Sequence, residues 1–167
     1  MTNDEFKMTK EIRITNCRNR LGEEEVDPAE DMFWGGADQA VAFELHDGTD
    51  IGKPVFDLEE RTAQFGEAII QFAKMIPQSP GNNRLIGQLV GAGTSVGANY
   101  CEADDGVSRK DFKNKIGTCR KEARETKFFL RMVATAEPDL KPEARVLWQE
   151  AKELHLIFSS IWRKSSP

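Results

Sequence analysis

From Asp57 onward, apolar residues recur at alternating steps of four and three, the spacing that lines one face of an α-helix and packs antiparallel helices nearly side by side. The first seam runs Leu58, Thr62, Phe65, Ile69, Phe72, Ile76, with Asp57 placed as N-cap and Glu60 three positions on in a capping-box pattern. A second element begins after Pro77 with Ser79 and Pro80 as cap and first-turn residues, carries Leu85, Ile86, Leu89, Val90, Val96 and Tyr100, and ends near Gly106. The third takes Ser108 as cap with Asp111 three residues later, repeats Phe112, Ile116, Cys119, Ala123, Thr126, Leu130, Val133, and stops at Pro138. The fourth has Pro142 in its first turn and repeats Leu140, Ala144, Leu147, Ala151, Leu154, Phe158, Ile161 before the charged end "RKSSP". Four helices of about 20 to 28 residues with short connections predict an all-α fold, an up-down-up-down antiparallel four-helix bundle.

Residues 1–53 break this pattern. They open on a degenerate repeat, "MTNDEFK / MTKEIR / ITNCRNR", and continue through "GEEEVDPAED" and "LHDGTDIGKP", rich in charge and turn formers. The reading is an acidic, weakly ordered or disordered extension over 1–53 ahead of a bundle domain over 54–167. Two alternatives stand beside it: a partner-binding tail using Phe33, Trp34 and Phe43, or a true start downstream, with Met32 one candidate. Charge follows the same division, because residues 1–53 hold 6 Lys and Arg against 13 Asp and Glu, and residues 54–167 hold 17 against 15. A chain of 167 residues suffices for one ordinary core and not for two.

The second helix contains "GQLVGAGTSVGANYCE", where Gly91, Gly93 and Gly97 imitate a dinucleotide-binding turn. That motif needs a strand before it and an acidic residue at the end of a second strand about 20 positions on. The region at that distance is the basic, helical "DFKNKIGTCRKEARETKFF". Gly87, Gly91, Ala92, Gly93, Gly97 and Ala98 are therefore expected to admit a neighbouring backbone closely, within the bundle or between subunits. Such packing must offset the roughly 1 kcal/mol that each mid-helix glycine loses against alanine.

Candidate chemistry is sparse. Cys17, Cys101 and Cys119 form no CxxC or zinc spacing, which points to a reducing compartment and a cytoplasmic location. Only His46 and His155 are present, and neither belongs to a Glu-x-x-His pair, so a di-iron bundle site is not expected. Ser95 has no evident histidine partner and G-x-S-x-G is absent. No catalytic residue, metal or cofactor is expected. His155 beside the fourth seam reads as a partly buried or surface histidine. No stretch is apolar enough to span a bilayer, and no membrane association is expected.

The third helix has the most informative charge pattern. Between Ser108 and Arg131 nine basic residues stand against three acids. At 100° per residue from Phe112, all the basics except Lys115 fall between about 60° and 180°, and Asp111, Glu122 and Glu125 fall between about 220° and 280°. A positive stripe of this kind can track a phosphate backbone. Opposite flanks can equally dock neighbouring subunits, or form a solvated face with pairs such as Lys121–Glu125. Asn99, next to the apolar seam, must be hydrogen-bonded if buried and is expected to specify packing, together with Glu102.

The segments "GTSVGANYCEA", "SRKDF" and "CRKEARET", within a match from Phe56 to Lys164, resemble the bacterial four-helix bundle family of 23S ribosomal RNA intervening-sequence proteins. The chain is also similar to the accessory protein of diversity-generating retroelements, a pentameric barrel that partners a reverse transcriptase and binds nucleic acid. The resemblance implies a ring-shaped homopentamer, members often encoded within ribosomal RNA genes, and no family catalytic residues. The family's polar motif positions fall on Asn99, Glu102, Lys121, Glu122 and Glu125, which with Gly93 and Gly97 are expected at packing or subunit contacts. The combined expectation is RNA or DNA binding through Lys113, Arg120, Arg124, Lys127 and Arg131. The alternative is a structural or protein-interaction module, partnering for example a reverse transcriptase or a ribosome-associated protein. The acidic extension is a departure from the family and would weaken nucleic-acid affinity if it were ordered near the basic flank.

Overall fold

Short polar side chains and prolines set the helix ends, and the computed structural model describes the result over residues 28–35 and 57–165. A short helix, α1 (Pro28–Trp34), precedes four long ones: α2 (Leu58–Met75), α3 (Pro80–Asp104), α4 (Arg109–Ala136) and α5 (Lys141–Lys164), with a single 3-10 turn over Pro138–Leu140 ahead of α5. Asp57 accepts hydrogen bonds from the backbone N–H groups of Glu59 and Glu60, at 3.0 and 3.1 Å, satisfying two donors that the first turn of α2 leaves open. Ser79 and Ser108 do the same for α3 and α4 through the amides of Asn82 and Asp111.

The four long helices form the up-down-up-down bundle, and no strand occurs among the described residues. Helix α4 is central: it pairs extensively with α3 on one side and α5 on the other, while α2 packs mainly on α3 and touches α5 lightly. Every residue of the α2 and α4 seams is buried, as are the α5 seam positions from Ala144 to Ile161. Helix α3 has the thinner seam. Leu89, Val96 and Tyr100 are buried, whereas Leu85, Ile86 and Val90 are only half covered.

Polar ties close the ends that apolar packing leaves. Arg61 on α2 grips Glu150 of α5 with two parallel bonds, Nε to Oε1 at 2.6 Å and Nη2 to Oε2 at 2.8 Å, and reaches Glu153 at 2.6 Å. A planar guanidinium forked onto a carboxylate is the strong form of such a pair. At the opposite corner, buried Asn82 donates to the Pro77 carbonyl at 2.9 Å and to Glu137 at 2.6 Å, joining the α2–α3 turn to the end of α4.

Residues 28–35, inside the stretch whose composition reads as weakly ordered, form a short helix and a turn. A helix of seven residues cannot hold itself in water, so α1 depends on what it docks against. Trp34 is only 6% exposed, with its ring 5.5 Å from that of Trp148 on α5. Of the three aromatics on which a partner-binding tail would rely, Phe33 and Trp34 lie against the chain's own bundle, and Phe43 lies outside the described residues.

The glycines of α3 divide by what surrounds them. A Cβ added at Gly93 would meet Ile69 side-chain atoms at 2.9 Å, and one at Gly97 would meet the Thr62 carbonyl oxygen at 3.3 Å, so these two let α2 and α3 approach closely. Gly87 and Gly91 face open space among the described residues, and no contact there explains them. Since Ile69 is β-branched, stiff and fully buried, Gly93→Ala is expected to destabilise by about 1–3 kcal/mol in urea unfolding despite its better helix propensity. Gly91→Ala should not carry that loss; equal destabilisation by both would contradict the assignment.

Candidate nucleic-acid interface

Burial of the Phe112–Val133 seam fixes the rotation of α4, and that rotation decides where its charges emerge. The acidic flank turns toward α3, where the odd basic residue, Lys115, pairs with Glu102. The positive flank turns toward α5, which presents Trp148 and Trp162 to it.

Gly117 makes one half of this contact possible. A Cβ there would lie 3.3 Å from Nε1 of Trp162, so the glycine leaves a shallow slot against which the indole rests. Lys113 and Arg120, one turn to either side of Gly117, bring Nζ and the guanidinium carbon each to 4.6 Å from the Trp162 ring centroid. Cations at that distance are attracted to the negative face of the ring. Farther along, Lys127 lies 4.5 Å and Lys152 of α5 lies 5.7 Å from the Trp148 ring. The interface is thus a ladder of cations interleaved with indoles along the α4–α5 groove. Basic residues interleaved with flat rings suit a single-stranded nucleic acid, since phosphates meet the cations and bases stack on the rings.

Helix α1 covers the far end of that ladder. Glu30 pairs with Lys127 at 3.2 Å, in a contact that leaves the lysine side chain only 15% exposed. Phe33 sits under two more cations, Arg131 at 4.6 Å and Lys141 at 4.7 Å, and stands edge-on to Trp34 at 4.9 Å. Of the five residues read from the sequence as phosphate contacts, Lys113 and Arg120 lie on Trp162, Lys127 is covered by Glu30 of α1, Arg131 lies over the Phe33 ring while staying exposed, and Arg124 is exposed between the two groups. Arg109, Lys110 and Lys121 are exposed as well. Sequence reasoning missed Gly117, Trp148, Trp162 and the contribution of Phe33. A glycine in the middle of the basic run "KIGTCRK" was the available signal for the slot.

The residues expected at packing contacts serve several local roles. Gly93 and Gly97 receive α2, Glu102 reaches Lys115, and half-buried Asn99 donates from Nδ2 to the Ser95 carbonyl at 2.8 Å. Glu122 is partly buried, and desolvation, with Glu125 beside it, raises its carboxyl above the ordinary carboxylate range. Lys121 and Glu125 are exposed.

Among the described residues, both thiols and the one imidazole are shifted from their ordinary values. Burial pushes the Cys119 thiol up to about 12. Cys101 is exposed and also raised, by desolvation and then by Glu59, Asp105 and Asp104. A thiol without thiolate character is a poor nucleophile. His155 donates from Nδ1 to the Arg120 carbonyl at 3.0 Å, since a carbonyl can only accept. Desolvation first, then the charges of Lys127, Arg120 and Arg124, hold its imidazole below the ordinary 6.5 against the opposing effect of that bond. Among the described residues no cluster of three His, Cys, Asp or Glu side chains is arranged to hold a metal, and no helix is long and apolar enough to cross a membrane.

Fold and flank together define a small antiparallel helical bundle with a basic, aromatic-lined groove. The family model described as 23S rRNA-intervening sequence protein matches residues 56–160, more than half of the chain, and the protein belongs to that family. Among solved structures, it is similar to a protein of unknown function from the S23 ribosomal protein family of Bacteroides thetaiotaomicron, with 27% identity, 63% of this chain and 97% of that chain covered, and a TM-score of 0.58. No curated protein matches the chain. Helix α1 lies outside the matched residues.

His155 supplies a pH test of this groove. Because the folded chain holds the imidazole below 6.5, the unfolded chain binds protons that the native state does not. The contribution is complete above about pH 6.5 and is lost as the pH falls below it. On going from about pH 7.5 to about pH 5.5, the wild type should lose up to about 1 kcal/mol more stability in urea unfolding than His155→Gln does. Identical losses would show that the imidazole is not held neutral.

Proposed function

We propose that this protein is a non-catalytic nucleic-acid-binding accessory protein of the cytoplasm, binding RNA or DNA along the α4–α5 groove and assembling as a homopentamer. The observation that carries the reading is the ladder itself: Lys113 and Arg120 straddle Trp162 over Gly117, while Arg109, Lys110, Lys121 and Arg124 beside them are exposed. Its end nearest the start of α4 combines ring faces with cations outside the cover of α1, which suits phosphate contacts flanked by stacked bases. The family's description, which refers to 23S rRNA, agrees with an RNA-related role. A role without catalysis is supported by the raised thiols and by the engagement of His155 Nδ1 with a backbone carbonyl.

The family resemblance supports a pentamer, and the described protomer leaves surface for it. Gly87 and Gly91 face open space, and Phe128 is 55% exposed, stacked edge-on against its neighbour Phe129 at 5.3 Å. A second reading, a protein-interaction module without nucleic-acid binding, has its own support. Lys127 and Arg131 are already engaged within the chain, as they would be if the positive flank served protein contacts, with a reverse transcriptase or a ribosome-associated protein as the partner.

Fluorescence anisotropy with a labelled oligo(U) of about 20 nucleotides separates the two readings. Wild-type affinity should fall steeply with salt. Arg124→Ala combined with Lys121→Ala should weaken binding and reduce the slope of log K against log salt by roughly 0.7 for each phosphate no longer neutralised. A wild type whose binding is independent of salt, or no tighter than the double variant, would leave the protein-interaction reading. Light scattering at micromolar concentration should give five times the protomer mass of 18.8 kDa; a monomer would remove the ring.

A further inference from the structure

We infer that α1 is an autoinhibitory plug: it competes with nucleic acid for the end of the basic ladder formed by Lys127, Arg131 and Lys141. This rests on the nucleic-acid reading above and names a regulation of the same groove. Each of these cations meets α1 in a way that imitates a nucleic-acid strand. Glu30 places a carboxylate 3.2 Å from Lys127, where a phosphate would lie. Phe33 places a ring 4.6 Å from Arg131 and 4.7 Å from Lys141, where a base would stack. Trp34 tilts against Trp148 with centroids 5.5 Å apart, in the space where a second flat ring would pack. Anion, flat ring and second ring arrive from one short helix, and none of them can remain while a strand makes the same contacts.

The plug is built to be displaced. Seven residues do not form a stable helix alone, so α1 depends on its contacts with the bundle, among them those of Trp34, Phe33 and Glu30. Three of the side chains it meets, Lys127, Arg131 and Lys141, are ones a strand would use. Binding at an otherwise open groove is then weakened by the fraction of molecules in which α1 is docked, since affinity scales with the competent population. The rest of the ladder, from Arg109 to Arg124, lies outside this cover and supplies first contacts for an incoming strand. By linkage, a strand that gains Lys127 and Arg131 must loosen α1 to the same extent that α1 weakens the strand.

Two full-length variants test this with the same labelled oligo(U). Trp34→Ala leaves charge unchanged and removes the anchor; Glu30→Gln keeps the anchor and removes the competing carboxylate. Each should bind about 3- to 10-fold more tightly than wild type at low salt, and Trp34→Ala should steepen the salt dependence by about 1.4 as two more phosphate contacts become available. Glu67→Gln, an equal charge change on exposed α2 surface, controls for net charge and should have little effect. Hydrogen exchange over residues 29–35 of the wild type should quicken when oligo(U) saturates the protein. If Arg124→Ala still weakens binding but Trp34→Ala and Glu30→Gln bind as wild type, and exchange at 29–35 is unchanged, the plug is overturned and the nucleic-acid reading stands. If neither wild type nor Trp34→Ala binds oligo(U) in an Arg124-dependent manner, the nucleic-acid reading falls, and the plug falls with it.

Discussion

The buried seam of α4 is the constraint on which the rest of this structure depends. Phe112, Ile116, Cys119, Ala123, Thr126, Leu130 and Val133 must all face inward, because α3 and α5 pack on opposite sides of the same helix. Once those positions are fixed, the 100° rotation per residue leaves no freedom for the others. The acidic flank falls beside α3 and the basic flank beside α5. Burial of apolar surface, which is blind to charge, thereby arranges nearly all the charge on the helix.

That arrangement gives the cations of α4 two roles that pull against each other. Cations over ring faces stabilise the pairing of α4 with α5, and the long side chains lie along apolar surface with their charged ends outward. The same charged ends make a groove attractive to polyanions. Lys113 and Arg120 can serve both roles, because Trp162 takes one face of each contact and both remain half exposed. Lys127 cannot do so while Glu30 covers it. Whether a cation on this stripe is structural or available is decided by its neighbour on α5 or α1.

Glycine has a different meaning at each place it interrupts a helix. Gly93 and Gly97 bring α2 within contact of α3, and Gly117 admits an indole against the α4 backbone. Gly87 and Gly91 do neither within the protomer. From sequence, Gly87, Gly91, Gly93 and Gly97 form one undivided run of small residues, and Gly117 passes unnoticed in a stretch of charge. Composition cannot separate them, because what a glycine admits depends on which atoms stand opposite.

The seams, the caps Asp57, Ser79 and Ser108, and the bundle they imply were legible in the chain by itself, since each depends on residues within a turn or two of one another. The positive stripe was equally legible, because helical periodicity alone places it. Its surroundings were not. The contacts that surround it join residues on different helices, separated by 35 positions for Arg120 and His155 and by 97 for Glu30 and Lys127. Helix α1 shows the limit most plainly. Its sequence has neither the length nor the periodicity to announce a helix, and only the prior existence of a groove between α4 and α5, with Trp148 waiting in it, gives Trp34 a reason to order the seven residues around it.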